Sequence, residues 1–263
     1  MILHRSRVTP PRSIPVVPKL APQFWAVLQR RIERLLDATP GSFSRILGIT
    51  FTTVAAANLR TRLEHLPEDR LARLEIGTFH AFAAKLLQQH GSHLGLATNF
   101  AIISSIEDRA AIASEVLSDL SETADPRRVL PLLGRLYERG IPIGQIPPEV
   151  SGQAPSFLCD LFAGYMARSI LRGELDFPLL VYLCNCLFRK LPRIPSQLRK
   201  VYRSICVDEF QDTNESQFEV LELISGGDAS GLLFLADQDQ IIYQWNGASP
   251  HRLQQAQERF HMA

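Results

Sequence analysis

Four short apolar runs constrain this chain more than any other feature. They are Ile46–Ile49, Leu74–Ile76, Ile205–Val207 and Leu232–Leu235, each nearly continuous in apolar residues. Strands covered on both faces of a parallel sheet read this way, whereas half-exposed strands alternate. Each run stops at polar residues: Thr50, Thr78, Asp208 with Glu209, and Asp237. Helical periodicity follows the first two, over Val54–Leu66 and Thr78–Gln89. Open parallel sheets carry their chemistry at the carboxyl ends of the strands. The expected fold class is therefore α/β, a parallel sheet whose working edge is marked four times.

Residues 91–190 contain no comparable run. Ser104 with Glu107, or Ser105 with Asp108, opens a helix, and Ala110, Ile112, Ala113, Val116, Leu117 and Leu120 continue it. Leu130–Tyr137, Phe157–Leu171 and Phe177–Phe188 also read as helices. The pattern predicts an all-helical subdomain at 91–190, inserted into an α/β lobe made of 23–90 and 191–263. Residues 1–22 are rich in proline and carry Arg5, Arg7, Arg12 and Lys19 with no acid. A disordered tail is expected there, and the competing reading is a basic arm that touches phosphates. Arg189, Lys190, Arg193, Arg199, Lys200 and Arg203 form a second acid-free block, either a solvated helix face or a local basic patch.

Composition narrows the class. With 46% hydrophobic and 21% charged residues the chain is globular rather than disordered. Twenty-eight Lys and Arg against 27 Asp and Glu leave a net charge of +1, which argues against a globally basic nucleic-acid binder. No apolar run reaches the roughly 18–20 residues of a membrane helix, and Pro10, Pro11, Pro15 and Pro18 interrupt any signal-peptide core. A cytoplasmic protein is expected. Cys159, Cys184, Cys186 and Cys206 lack the paired spacing of a zinc site.

The chemistry concentrates in two strings. Ile205-Cys206-Val207-Asp208-Glu209-Phe210-Gln211-Asp212 is a buried strand ending in adjacent carboxylates. One such carboxylate can hold Mg²⁺ through its water shell, and the next can orient and deprotonate an attacking water. About 30 residues later, Leu235-Ala236-Asp237-Gln238-Asp239-Gln240 ends another strand and runs into Ile241-Ile242-Tyr243-Gln244-Trp245-Asn246-Gly247-Ala248.

On these residues the chain resembles the UvrD/Rep-like helicases of superfamily 1. Val207–Asn214 is similar to their Walker B segment, motif II, and Ala236–Ala248 to motif III. Ile46–Leu63 resembles motif Ia, and Gly77-Thr78-Phe79-His80-Ala81-Phe82 motif Ib. Leu175-Asp176-Phe177 resembles the Leu-Asp-Phe that precedes motif II. The resemblance implies a RecA-like, P-loop NTPase-type lobe of an ATP-dependent DNA helicase, with ATP and Mg²⁺ as cofactors, single-stranded DNA as partner and DNA repair as a setting. It implies Mg²⁺ at Asp208, water activation by Glu209 and γ-phosphate sensing by Gln240. It also implies that Tyr243, Trp245, Phe51, Thr53 and His80 meet the DNA strand, the first two by stacking.

The departures from the family's pattern carry equal weight. None of the four lysines, Lys19, Lys85, Lys190 and Lys200, follows a glycine, so no Gly-x-x-x-x-Gly-Lys-Ser/Thr exists. Aligning Arg31–Leu36 with the helix after the P-loop puts Phe24-Trp25 where Lys-Thr belongs. Thr53-Val54 replace the usual Asn-Lys, and Asn246 the usual Arg, which removes cations from the DNA path. The second motor lobe, with its arginine fingers, is expected to be missing or supplied by a partner protein. Two functions follow: a truncated helicase lobe inactive alone, or a degenerate pseudo-helicase that binds single-stranded DNA or protein.

Overall fold

The computed structural model describes residues 17–18, 23–38, 43–142, 145, 155–236 and 252–260. Five parallel strands form the central sheet: β1 (Val17–Pro18), β2 (Arg45–Thr50), β3 (Leu74–Thr78), β6 (Tyr202–Val207) and β7 (Leu232–Ala236). Their order is β1-β7-β6-β2-β3. The parallel register runs Ile46↔Leu74 to Thr50↔Thr78 between β2 and β3, and Ile205↔Leu232 to Val207↔Phe234 between β6 and β7. All four apolar runs lie inside strands, which extend beyond them into polar residues such as Arg45, Ser204 and Thr78.

Side chains alternate across the sheet as strand geometry demands. Leu47, Ile49, Ile205, Val207, Leu232 and Phe234 enter one core. Ile46, Ile76, Cys206, Leu233 and Leu235 enter the other, beneath Leu28, Ile32 and Leu36 of α1 (Gln23–Ala38) and Leu59 and Leu63 of α2 (Thr53–Leu63). A single-turn helix, α3 (Glu68–Leu71), precedes β3. Burial on both faces explains why β2, β6 and β7 read as continuous apolar runs, whereas β3, at the edge, is partly buried and carries Glu75 inside its run.

Between β3 and β6 the described residues are mainly helical: α4 (Phe79–His90), α5 (Ile106–Asp119), α6 (Pro126–Glu138), α7 (Pro155–Arg172), α8 (Phe177–Lys190) and α9 (Arg193–Val201). The N-cap of α5 is Ser105, whose side chain accepts from Asp108 N. One exception breaks the all-helical expectation: β4 (Ala101–Ile102) pairs in parallel with β5 (Glu174–Leu175). Two residues per strand are too few to leave a periodicity signal. The insertion does not form a separate nucleus: its Ile112, Leu133, Phe162 and Tyr182 share one continuous core with Leu47 and Phe234 of the sheet. Among the described residues two further α-helices follow β6, α10 (Glu215–Ser225) and α11 (Arg252–Phe260).

A second difference lies in the stretch read as a tail. Val17 and Pro18 pair with Leu235 and Ala236, so the sheet begins inside residues 1–22. Pro18 is compatible with an edge strand, where one ladder suffices. No helix among the described residues is long and apolar enough to cross a membrane.

Candidate functional site

The strand order sets β6 in the middle of the sheet, with β2 on one side and β7 on the other. Asp208 and Glu209 follow β6 directly, and Thr50 ends β2 one residue beyond the pair Ile49↔Val207. Asp208 N donates to Ile49 O at 2.8 Å, which ties the residue to β2 just past the last strand position. Asp208 is 5% exposed and Thr50 is 1% exposed. The Thr50 hydroxyl donates to Thr52 O at 2.9 Å. A carboxylate and a hydroxyl thus close the carboxyl edge at adjacent strands.

Glu209 has a left-handed backbone, φ 51° and ψ 44°. Only Ser121 shares a positive φ among the described non-glycine residues. The conformation turns the chain sharply out of β6 into a 3₁₀ turn over Phe210–Asp212. Such strain concentrates at functional edges. The Glu209 carboxylate accepts from Gln211 Nε2 at 2.8 Å, so it is oriented as well as half-buried. Phe210 faces the other way, stacked on Phe234 with centroids 3.9 Å apart. Asn214 opens α10 with a reciprocal capping box: Gln217 N donates to Asn214 Oδ1 and Asn214 N donates to Gln217 Oε1. Each residue of the Asp-Glu-Phe-Gln-Asp-Thr-Asn string that follows the strand therefore either serves the edge or builds the turn that presents it.

The predicted strand-contacting residues separate into two groups. Phe51 and Thr53 follow the carboxyl end of β2 and His80 that of β3, strands aligned by Thr50↔Thr78. Thr52 caps α2 by accepting from Ala55 N at 3.1 Å, leaving Thr53 and Val54 exposed on its first turn. His80 lies in the first turn of α4, capped by Thr78, whose hydroxyl accepts from Ala81 N. Burial pushes His80 down to about 4, so it is a neutral ring at pH 7. Its ring meets Phe177 edge-on, with centroids 5.2 Å apart. Gln240, Tyr243 and Trp245, together with Asp237 and Asn246, lie outside the described residues.

Phe177 is a candidate that the reading of the sequence used only as a marker. It is 44% exposed although aromatic, at the first position of α8, facing His80 across the edge. Its signal in the sequence was a large aromatic directly after a helix-capping aspartate. Asp176, by contrast, is structural: 3% exposed, it accepts from Leu179 N, from Arg109 Nε at 3.0 Å and from Tyr165 OH at 3.1 Å.

The edge suits Mg²⁺ better than it suits a triphosphate. Asp208 and Thr50 offer hard oxygen donors, and Mg²⁺ commonly keeps most of its waters and takes one or two carboxylates. Asp208 would hold such an ion. Among the described residues no set of three His, Cys, Asp or Glu converges as a self-sufficient metal cage. A triphosphate needs a glycine-rich loop between a strand and the helix packed on the sheet. That strand and that helix are present as β1 and α1, but only residues 19–22, Lys-Leu-Ala-Pro, connect them. Four residues without glycine do not fit the cradle.

The comparison with known families settles the lineage. The UvrD/REP helicase N-terminal domain family matches residues 26–261. The chain belongs to this family. It is similar to the ATP-dependent DNA helicase PcrA of Leuconostoc citreum, 29% identical over 231 residues covering 86% of this chain and 31% of that protein. The PcrA proteins of Staphylococcus epidermidis and Staphylococcus aureus are 30% and 28% identical, each over 84% of this chain. The chain thus spans under a third of the length of these curated relatives. Its parallel sheet is that of a RecA-like lobe.

Proposed function

We propose that this chain is a UvrD-like first motor lobe that engages single-stranded DNA along its carboxyl edge and does not bind or hydrolyse ATP by itself. The observation that carries the reading is the connection from β1 to α1, which keeps the scaffold of a phosphate loop and lacks its substance. Asp208 and Glu209 could serve a metal and a water, but neither holds a nucleotide, and carboxylates alone repel one. Gln240 would sense a phosphate that this lobe cannot grip. A truncated helicase, inactive alone and completed by a second lobe or a partner protein, is the form in which these residues would still turn over. A cytoplasmic setting accords with both forms.

DNA engagement draws on Phe51, Thr53, His80 and Phe177, and on Tyr243 and Trp245 of the motif III string. Each stacked base contributes about 1–3 kcal/mol irrespective of sequence. Val54 and Asn246, where the family has cations, leave few phosphate contacts, so affinity is weak and depends little on salt. Purified chain is to be assayed for phosphate release with Mg-ATP and single-stranded DNA beside Glu209→Gln, and titrated with oligonucleotide beside Phe177→Ala and Trp245→Ala. The reading expects no turnover above background and weak binding reduced by both alanines. Stimulated turnover that Glu209→Gln abolishes would overturn the ATP half, and binding unchanged in both variants the DNA half.

A further inference from the structure

Among the described residues the sheet has one long edge, β3, with no strand beyond it. Arg73 O accepts from Ile46 N at 2.9 Å, so carbonyls at 73, 75 and 77 turn towards β2. Leu74, Ile76 and Thr78 therefore aim their N–H and C=O groups away from the sheet. The guanidinium of Arg60, on α2, confirms the direction by donating to Ile76 O from outside. Along this edge runs a groove of about 410 Å³, floored by Leu47, Ile49 and Phe82. Its rim holds Arg45, Arg60 and Lys85 around a single acid, Glu75. Glu75 is already served by Lys85 at 2.6 Å, by Tyr202 OH at 2.6 Å and by Arg45 at 3.8 Å. Arg45 and Lys85 still keep 47% and 46% of their side-chain surface exposed.

We propose that the β3 edge docks an extended, acidic segment of a partner protein, which adds to the sheet as a further strand. Outward peptide groups at alternate residues supply a ladder, the aliphatic floor takes alternate side chains, and the excess of cations selects acids. A second copy of this chain is a poor guest, since its edge would bring the same three cations against themselves. Nucleic acid could use the cations but has no peptide ladder to offer. Arg60 covers Ile76 O in the free protein, a common way to guard an exposed edge, and turns to a carboxylate of the guest on docking.

The whole chain is to be titrated, by fluorescence anisotropy, with a labelled octapeptide of alternating Glu and Val. Saturable binding is expected, weakened about tenfold by Arg60→Glu and, separately, by Lys85→Glu. Circular dichroism establishes that each variant is folded. Methylating alternate backbone nitrogens of the peptide, which keeps its charge and removes its ladder donors, should cost about tenfold as well. Equal affinity for the methylated peptide would exclude strand addition. Tighter binding of a Lys-Val octapeptide, absence of binding, or an oligothymidylate that competes for the same groove would each overturn the proposal.

Discussion

His80 and Glu138 titrate outside their ordinary ranges, in opposite senses. His80 is lowered to about 4 by burial. Glu138, in α6, is raised to about 7 by burial first and by the Asp176 carboxylate second, against the pull of Arg109 and Arg135. Between pH 4 and 6.5 the unfolded chain binds a proton at position 80 that the folded chain refuses, so His80 makes stability rise with pH there. Between pH 4.5 and 7 the folded chain retains a proton on Glu138 that the unfolded chain has lost, so Glu138 makes stability fall with pH. The two slopes offset each other in the shared window. Glu138→Gln cancels only the second. Urea unfolding should find that variant more stable than the parent by about 1 kcal/mol near pH 8, after discounting for partial exposure, and equal to it near pH 4. A stability gain that persists at the acid end would assign the effect to packing instead. At this scale the sequence was informative about identity and silent about setting. Asp208 and Glu209 announce themselves as adjacent carboxylates at a strand end. The left-handed backbone of Glu209 leaves no mark in residue type, and the ion-paired duty of Asp176 depends on Arg109, far along the chain.

Elements were legible in proportion to their length and burial. β2, β6 and β7 are buried along Ile46–Ile49, Ile205–Val207 and Leu232–Leu235 and left apolar strings there; β3, at the edge, is partly buried and carries Glu75 within its run; β1, β4 and β5 are two residues each and left nothing. Helix crossings were invisible because they depend on pairs. α5 and α7 meet at Gly164, where an added Cβ would come within 2.6 Å of Val116 Cγ1. Gly164 thus sets the distance between two helices rather than a backbone conformation. Gly164→Ala should destabilise the chain by about 1–3 kcal/mol through overpacking. Val116→Ala in the same chain should recover part of that loss, because it removes the obstructing methyl. A double-mutant cycle in urea measures the coupling; strictly additive losses would show that the crossing is not set by this pair.

At the scale of the molecule, the division into lobe and insertion describes the order of the chain better than its cohesion. Core residues from Leu47 through Leu179 to Phe234 form one contiguous cluster, and α8 packs on α4 and α10 as well as on α6 of the insertion. No periodicity could reveal this, because periodicity reports which face of an element is apolar and not what it meets. Native-state hydrogen exchange should therefore give amides of β2, β6 and α8 the same opening free energy, within error, as one cooperative unit. A lower value confined to α8 would make the insertion an independent unit. The two ends of the sheet are also unlike. β1 is short and ends in Pro18, which has no N–H, whereas β3 offers five residues. Growth from copy to copy requires two edges that match, one giving and one receiving. Among the described residues β3 is the one edge with a long ladder, and a sheet extended only there saturates after one addition. If β3 docks a guest as proposed, assemblies built on that edge stop at one guest per lobe, because no matching edge among the described residues continues a head-to-tail filament.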